Sequence, residues 1–490
     1  MSKKLVISKL FLYRYRFIIG FTLLGLAFAG LLFGLPLLSP DGLSQAEMQS
    51  AVTSAELSPT SILNGEIVDL PYHALQKLSI TLFGLTPYAI KLPSIIIGLF
   101  LGVLLILLLN RWFKTNVALF ASILAVLSAS FLYLAGSGTP LIMLVFWPTF
   151  LLWLGSKIQG VIKPKPLYCF LFAFALLGAI FTPHLVYLAA FIVLFALLHP
   201  HLRFTIKTLP VAPLVITTII ILLGLGALVT AAVINPNLIP ALLWAPDFSP
   251  SQFWHNLSTA FLPFFSWNAA IESVLLAPLI GLGSVALAIV GLLSTAKGFF
   301  ASRNSIASCL IVFTVFLAGL NPESAILLLL PLAILIAHGL RYILDKWYDL
   351  FPDNPYARIS AVFPIAIFLG IMIVSDLNHF VFGYRYTPMV ADQFTSDLTL
   401  ARAHLTSDTT LYVVNKPEAL AFYRILGDQL DFVVSDTIPA ADQLPEHFAT
   451  LGHQIDDPIH LTQIITSPKS DNSDRIYLYT LTQPIEGETE

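Results

Sequence analysis

A single carboxylate stands near the head of GLSQAEMQSA, residues 42–51, a polar stretch between two long apolar runs. Ser44-Gln45-Ala46-Glu47 has the S-x-x-E form of a capping box. In that arrangement the serine oxygen accepts from the amide three residues on, and the glutamate reaches back to the serine amide. Such a cap stabilises a helix start by roughly 1 kcal/mol. The same carboxylate is a candidate general base, since base catalysis needs an acceptor within hydrogen-bond reach of the proton it takes. The two roles are compatible in sequence and compete for the same two oxygens. Asp41 precedes Glu47 and Glu56, Glu66 and Asp69 follow on the same segment, and Asp69 before Leu70-Pro71 has the position of an N-cap.

The elements that must hold these groups lie in lipid. Of 490 residues 57% are apolar and 11% charged, and mean hydropathy is +0.84, which excludes a soluble globular domain of this size. The apolar residues gather in eleven runs, at 17–38, 89–110, 116–135, 139–156, 166–182, 183–198, 209–234, 272–296, 305–320, 323–340 and 359–375. Each is close to the roughly 20 residues a helix needs to cross hydrocarbon. The expected fold is an α-helical polytopic membrane protein of about eleven transmembrane helices. Thr182-Pro183-His184 divides two of the runs, which could instead form one kinked re-entrant element. The first run resembles a secretory signal, but it continues through Leu38 and leaves Ala27-Phe28-Ala29 in mid-membrane, so it reads as a retained anchor.

Basic residues orient the chain. With the N-terminus cytoplasmic, the inner segments hold 17 of the 25 Lys and Arg, the outer loops hold only Lys77 and Lys91, and the tail holds 6. An odd number of spans then places everything after Ser375 outside. Residues 376–490 carry 17 acidic and 6 basic residues, a net of −11, against +8 for residues 1–375. Two regions follow: a transmembrane domain, 1–375, and a small external α/β domain, 376–490. The tail is expected to contain a helix near 390–404, strands at 410–415 and 431–435, a helix opened by Pro417 and a late strand at 475–480. Cys169 and Cys309 fall in predicted spans, where thiols pack as small apolar groups. No nucleic-acid partner is expected.

Two outer loops are long. The first, 39–88, carries the acidic residues above. The fourth, 235–271, is rich in aromatics, as in WAPDFSPSQFWHNLSTAFLPFFSW. Trp244, Phe253, Trp254 and their neighbours suit either an aromatic belt or the floor of a site for a lipid-linked substrate. Asn256-Leu257-Ser258 matches a glycosylation sequon, a pattern of little information.

The first outer loop and the following span resemble the start of GT-C superfamily glycosyltransferases, in particular the bacterial members similar to protein O-mannosyltransferases and lipid A aminoarabinose transferases. The likeness rests on the order of several features: Ala46-Glu47 in the place of an Asp-Glu pair, Pro71-Tyr72, the Phe83-Gly84 turn, and Lys91-Leu92-Pro93-Ser94 opening a span. ASFLYLAGSGTPLIM and NPESAILLLLPLAILIAHGL resemble the family's third-to-fourth turn and a late span with a central proline. The chain departs from the pattern where Ala46 stands in place of the family's catalytic Asp. It departs again where Gly136, Ser137, Gly138 and Thr139 lack an Arg and an acid, and where Pro183-His184 replaces a Lys-Gly.

The resemblance implies transfer of a sugar from a polyprenyl-phosphate donor, on the outer face of the plasma membrane, to a glycan, lipid or protein acceptor. It also implies a divalent metal in some members. That chemistry needs a base, for which Glu47 is the candidate, and positive groups near the leaving phosphate. Lys91, Lys77, His73, His184 and Arg385 are the external groups available. Each has a plainer reading: Lys91 as a snorkelling anchor, the two histidines as satisfied interfacial residues. Two rival functions stand beside transfer. One is a relative that has lost its chemistry and serves envelope glycopolymer assembly. The other is transport, against which the spans argue by holding no ionisable residue away from their ends.

Overall fold

The computed structural model describes residues 11–38, 42–159, 166–244, 249–261, 280–296, 301–350, 356, 360, 362–383, 394–395, 397–414, 416–440, 443–455, 461–466 and 475–481. In order, the helices are α1 (Phe11–Leu38), α2 (Gln45–Glu56), α3 (Pro59–Leu63), α4 (Leu70–Phe83), α5 (Pro87–Trp112), α6 (Thr115–Val126) and α7 (Ala129–Gly136). Then come α8 (Met143–Gln159), α9 (Pro166–Ile180), α10 (Leu185–Leu198), α11 (Pro200–Thr208), α12 (Val211–Ile234), α13 (Leu238–Leu243) and α14 (Pro250–Phe261). The last are α15 (Leu282–Ala296), α16 (Ser302–Leu320), α17 (Leu329–Leu350), α18 (Val362–Asn378), α19 (Asp397–His404) and α20 (Leu420–Leu430).

Every apolar run contains a helix, but the runs are not equally straight. Among the described residues seven helical stretches are long and apolar enough to cross a membrane, and up to nine if two bent pairs each count as one. The pairs are α6–α7, bent by 62°, and α10–α11, bent by 90°. Local chemistry makes both breaks. Ser128 ends one helix and caps the next by accepting from the Phe131 amide, and Pro200 occupies the first turn of α11 where its missing N–H costs nothing. α9 and α15 are shorter apolar helices. The protein is thus an integral membrane protein, and α12 shows the lipid as solvent: of its 24 residues only Ala231 is buried, while Val211, Leu222, Leu223 and Val233 stand exposed. Inside the bundle α15 and α17 cross at Gly291 and Gly339, where a Cβ would sit 2.0 and 2.1 Å from the carbonyl oxygens of Leu335 and Leu287. Glycine therefore permits the closest approach in the core.

The tail forms a five-stranded sheet. β3 (Thr410–Tyr412) pairs in parallel with β4 (Val433–Ser435) and β5 (His447–Leu451), and β7 (Ile476–Thr480) pairs antiparallel with β5 and β6 (Leu461–Ile465), in the order β4-β3-β5-β7-β6. The helix at 420–430 and the strands at 410, 433 and 476 match expectation; the helix expected near 390–404 is helical in its described part only over Asp397–His404, because Phe394–Thr395 pairs as a strand, and β5 and β6 are additional. The sheet does not stand apart from the bundle. Leu43, Met48, Ala51 and Ile90 share one core with Leu398, Phe422, Tyr423 and Leu426. β1 (Leu43–Ser44) also pairs antiparallel with β2 (Phe394–Thr395), which ties the first loop directly to the tail.

Candidate functional site

Glu47 is on the first turn of α2, and the predicted capping box is present. Its amide donates to Ser44 Oγ at 3.3 Å, and Ser44 N–H donates to Glu47 Oε2 at 2.9 Å. The other oxygen is also taken. Oε1 accepts from the Gly138 amide at 2.7 Å and lies 3.7 Å from Lys91 Nζ. Residue exposures of 1% for Glu47 and 2% for Lys91 place this ion pair in the interior. The ammonium donates to Gly42 O at 3.2 Å and stands 5.6 Å from the centre of the Phe394 ring, so the tail roofs the pair. Gly138 is required by contact, since a Cβ there would meet Ile90 Cγ2 at 2.6 Å.

A second polar centre between α2 and α4 holds the pair in place. Gln76 Nε2 donates to Ile90 O and Gly138 O, both at 2.9 Å, while its Oε1 accepts from Ser50 and Ser54 hydroxyls at 2.9 and 2.6 Å. All four of its hydrogen-bond positions are filled. No single-sequence signal marks Gln76 as such a hub, although the spacing of Glu47, Ser50 and Ser54 does put a polar stripe on one face of α2. His73 Nδ1 meets Ser54 Oγ at 2.8 Å, and burial lowers the ring's pKa to about 4. The imidazole is neutral at physiological pH, so it offers hydrogen bonds and no positive charge. Tyr72 hydroxyl meets Ser94 Oγ at 2.8 Å. Its pKa is pushed up by burial and, less strongly, by the carboxylates of Glu47 and Asp69, which both lie near it.

Asp69 departs from its expected role. It stands at the N-cap of α4, but its backbone is left-handed at φ 50° and its side chain makes no cap. The backbone turns the carboxyl toward Thr182, which hydrogen-bonds it, and the Asp69 amide donates to Phe181 O at 2.8 Å. Oδ1 has no partner among the described residues, and burial raises the carboxyl pKa to about 8.

The remaining candidates are spread out. His184, left-handed at φ 63°, is fully buried. Its Nε2 donates to Trp244 O at 2.7 Å, which assigns the tautomer and leaves Nδ1 to accept from Ser324. Its amide reaches Leu242 O at 2.9 Å, so His184 knots the α9–α10 break to the fourth loop with no polar atom spare. Lys77 donates to Ala55 O and Leu57 O at the end of α2, satisfying carbonyls the helix leaves open. With Arg402 it also lines a cleft of about 560 Å³ between α4 and the tail. Arg385 lies outside the described residues. Asn256 of the sequon is buried and donates to Gly319 O and Leu320 O. Among the described residues no three His, Cys, Asp or Glu side chains converge as a metal site needs.

A bundle of apolar helices, a long first loop folded into helices and a sheet docked on that loop define a polytopic membrane protein. Among solved structures the chain is similar to ArnT from Cupriavidus metallidurans, in the apo state and bound to undecaprenyl phosphate. The TM-score is 0.55 for both, at 14% and 15% identity, over 94% of this chain and 98% of that one. No family model matches the chain, and no curated protein matches it significantly.

Proposed function

We propose that this chain is a membrane glycosyltransferase that takes a sugar from a polyprenyl-phosphate donor at the end of the bundle bearing the first loop and the tail sheet. That end faces away from the cytoplasm on the distribution of basic residues, 17 on one side of the spans against two in the opposite loops. The lipid-phosphate donor is supported by the ArnT-like fold, one example of which is bound to undecaprenyl phosphate.

One observation carries the reading: a carboxylate and an ammonium are paired where the first loop meets the bundle, and the pairing is loose. Lys91 stands 3.7 Å from Glu47 and gives its one hydrogen bond to Gly42 O. A donor phosphodiester competes for that ammonium, and its capture leaves Oε1 held by the Gly138 amide alone, with a lone pair for the acceptor proton. The acceptor hydroxyl then attacks the anomeric carbon and its proton passes to Glu47. The carbon–oxygen bond to phosphate breaks, and the departing polyprenyl phosphate gains a second negative charge beside Lys91. An ammonium there binds the leaving group more tightly than the substrate, which is what lowers a barrier. Lys77 and Arg402 line a cleft open to an anionic acceptor. His73, as a neutral hydrogen-bonding group, and Arg385 are the other groups on which a phosphate contact is proposed; His184, whose ring nitrogens are both taken, is left out.

A second reading, a non-catalytic partner in envelope glycopolymer assembly, is favoured by Ala46 and by the sealed state of Glu47. A radiolabelled polyprenyl-phosphate sugar offered to the full chain in proteoliposomes separates the two. Under the first reading wild type transfers label and Glu47→Gln, still present in the membrane, transfers almost none. Full activity in Glu47→Gln removes Glu47 as base. Binding of polyprenyl phosphate without transfer by wild type supports the second reading.

A further inference from the structure

The other end of α5 carries an unassigned site. Lys91 and Arg111 lie 20 residues apart on this helix, about 30 Å at 1.5 Å per residue, the thickness of a hydrocarbon core. Arg111, Arg303 and His201 line a cavity of about 420 Å³. It adjoins a groove of about 350 Å³ between α8, α10, α11, α12 and α16, and Trp112, Ser156 and Gln159 belong to both. One end of the combined space is cationic and the other is walled by residues such as Leu151, Phe191 and Ile221.

Three features say what fills it. Neither arginine forms an ion pair among the described residues: Arg111 donates to Ser156 O at 3.3 Å and Arg303 to Trp112 O at 2.7 Å, each with donors to spare. Gln159 Nε2 is buried at the junction and has no hydrogen-bond partner among the described residues. α11 turns 90° from α10 and sends Leu202 and Ile206 into the groove, with Arg203 and Lys207 on the same short helix. A short amphipathic helix of this kind lies in the membrane interface, which sets the cationic cavity at headgroup level and the groove at chain level.

We infer that this is a binding site for an anionic phospholipid, with its phosphate between Arg111, Arg303 and His201, the Gln159 amide donating to a phosphate oxygen, and one acyl chain in the groove. Free phosphate would leave the groove unused, and a zwitterionic headgroup would bring an ammonium to a wall whose described residues include no carboxylate. The site is independent of transfer at Glu47.

The test is native mass spectrometry of the full chain released from mixed micelles of phosphatidylglycerol and phosphatidylcholine. Wild type retains one phosphatidylglycerol in preference to phosphatidylcholine, and Arg111→Gln and Arg303→Gln each lower that preference about fivefold. Gly155 lines the groove and has no atom within 4 Å of a built Cβ, so Gly155→Leu fills the chain position without a clash. This variant loses phosphatidylglycerol with both arginines present, whereas Glu47→Gln keeps it. Equal retention of the two lipids by wild type, or unchanged preference in both arginine variants, overturns the proposal. So does full retention in Gly155→Leu together with displacement by inorganic phosphate, which marks a free-phosphate site. Displacement by equimolar polyprenyl phosphate overturns it in favour of the carrier.

Discussion

Glu47 and Asp69 are both carboxylic acids of the first loop, both stand at the start of a helix and both are more than nine-tenths buried. Their surroundings make them opposites. Glu47 is met by two amide donors and an ammonium, so its charge is compensated on both oxygens. Among the described residues Asp69 has one hydroxyl partner and an unpartnered Oδ1, and desolvation carries its pKa to about 8. Burial removes water from both, and at Asp69 too few partners replace it, so desolvation raises its pKa.

That contrast can be broken at several points. The largest effect belongs to the ion pair. Lys91→Met leaves Glu47 without its counter-ion in the interior and costs about 3–5 kcal/mol, while the double variant Glu47→Gln/Lys91→Met recovers most of it. Thermal unfolding of the four proteins in detergent measures the coupling, and additive losses would mean that the pair is not a unit. Next, Gly138→Ala drives a methyl into Ile90 and pulls the amide from Glu47, an overpacking cost of about 1–3 kcal/mol. The same variant should open the Glu47 pocket to solvent, read as faster hydrogen exchange over residues 44–50.

Asp69 sharpens the comparison through pH. Its folded pKa of about 8 is above the ordinary 3.8, so the folded state holds a proton that the unfolded chain has released. Its contribution is complete below pH 4 and is lost as pH rises toward 8, at up to about 1.4 kcal/mol per pH unit. Asp69→Asn mimics the protonated form and removes that slope, which melting curves at pH 5, 6.5 and 8 detect; identical slopes in both proteins would place the group elsewhere in charge. The smallest effect is at the cap, where Ser44→Ala costs about 1 kcal/mol. It should leave the Lys91 contact in place, because the lost hydroxyl meets only the Glu47 amide, while the Ser44 N–H and Lys91 still hold the two carboxylate oxygens.

The legible parts were those written in local chemistry. Eleven apolar runs became helices because each carries its own burial preference and satisfies its own backbone, and the S-x-x-E signature became a capping box because all its partners lie within four residues. The tail elements around Thr410, Pro417 and Ile476 were readable for the same reason. β5 and β6 escaped because short strands such as HFATL and LTQII gain identity only from their neighbours in a sheet. The bend of 62° between α6 and α7 was hidden inside one continuous apolar run, 116–135.

By itself, then, the chain's composition and pattern determined that it lives in a bilayer, where its helices begin and that Glu47 caps one of them. The tertiary structure decided that Glu47 is sealed against Lys91 and Gly138, that Gln76 binds α2, α4 and α5 into one unit, and that Asp69 turns from its helix toward Thr182. These outcomes join residues 44, 91 and 113 positions apart, so no local propensity encodes them. A buried side chain's charge and hydrogen bonds follow from whichever groups the fold brings against it once water has gone.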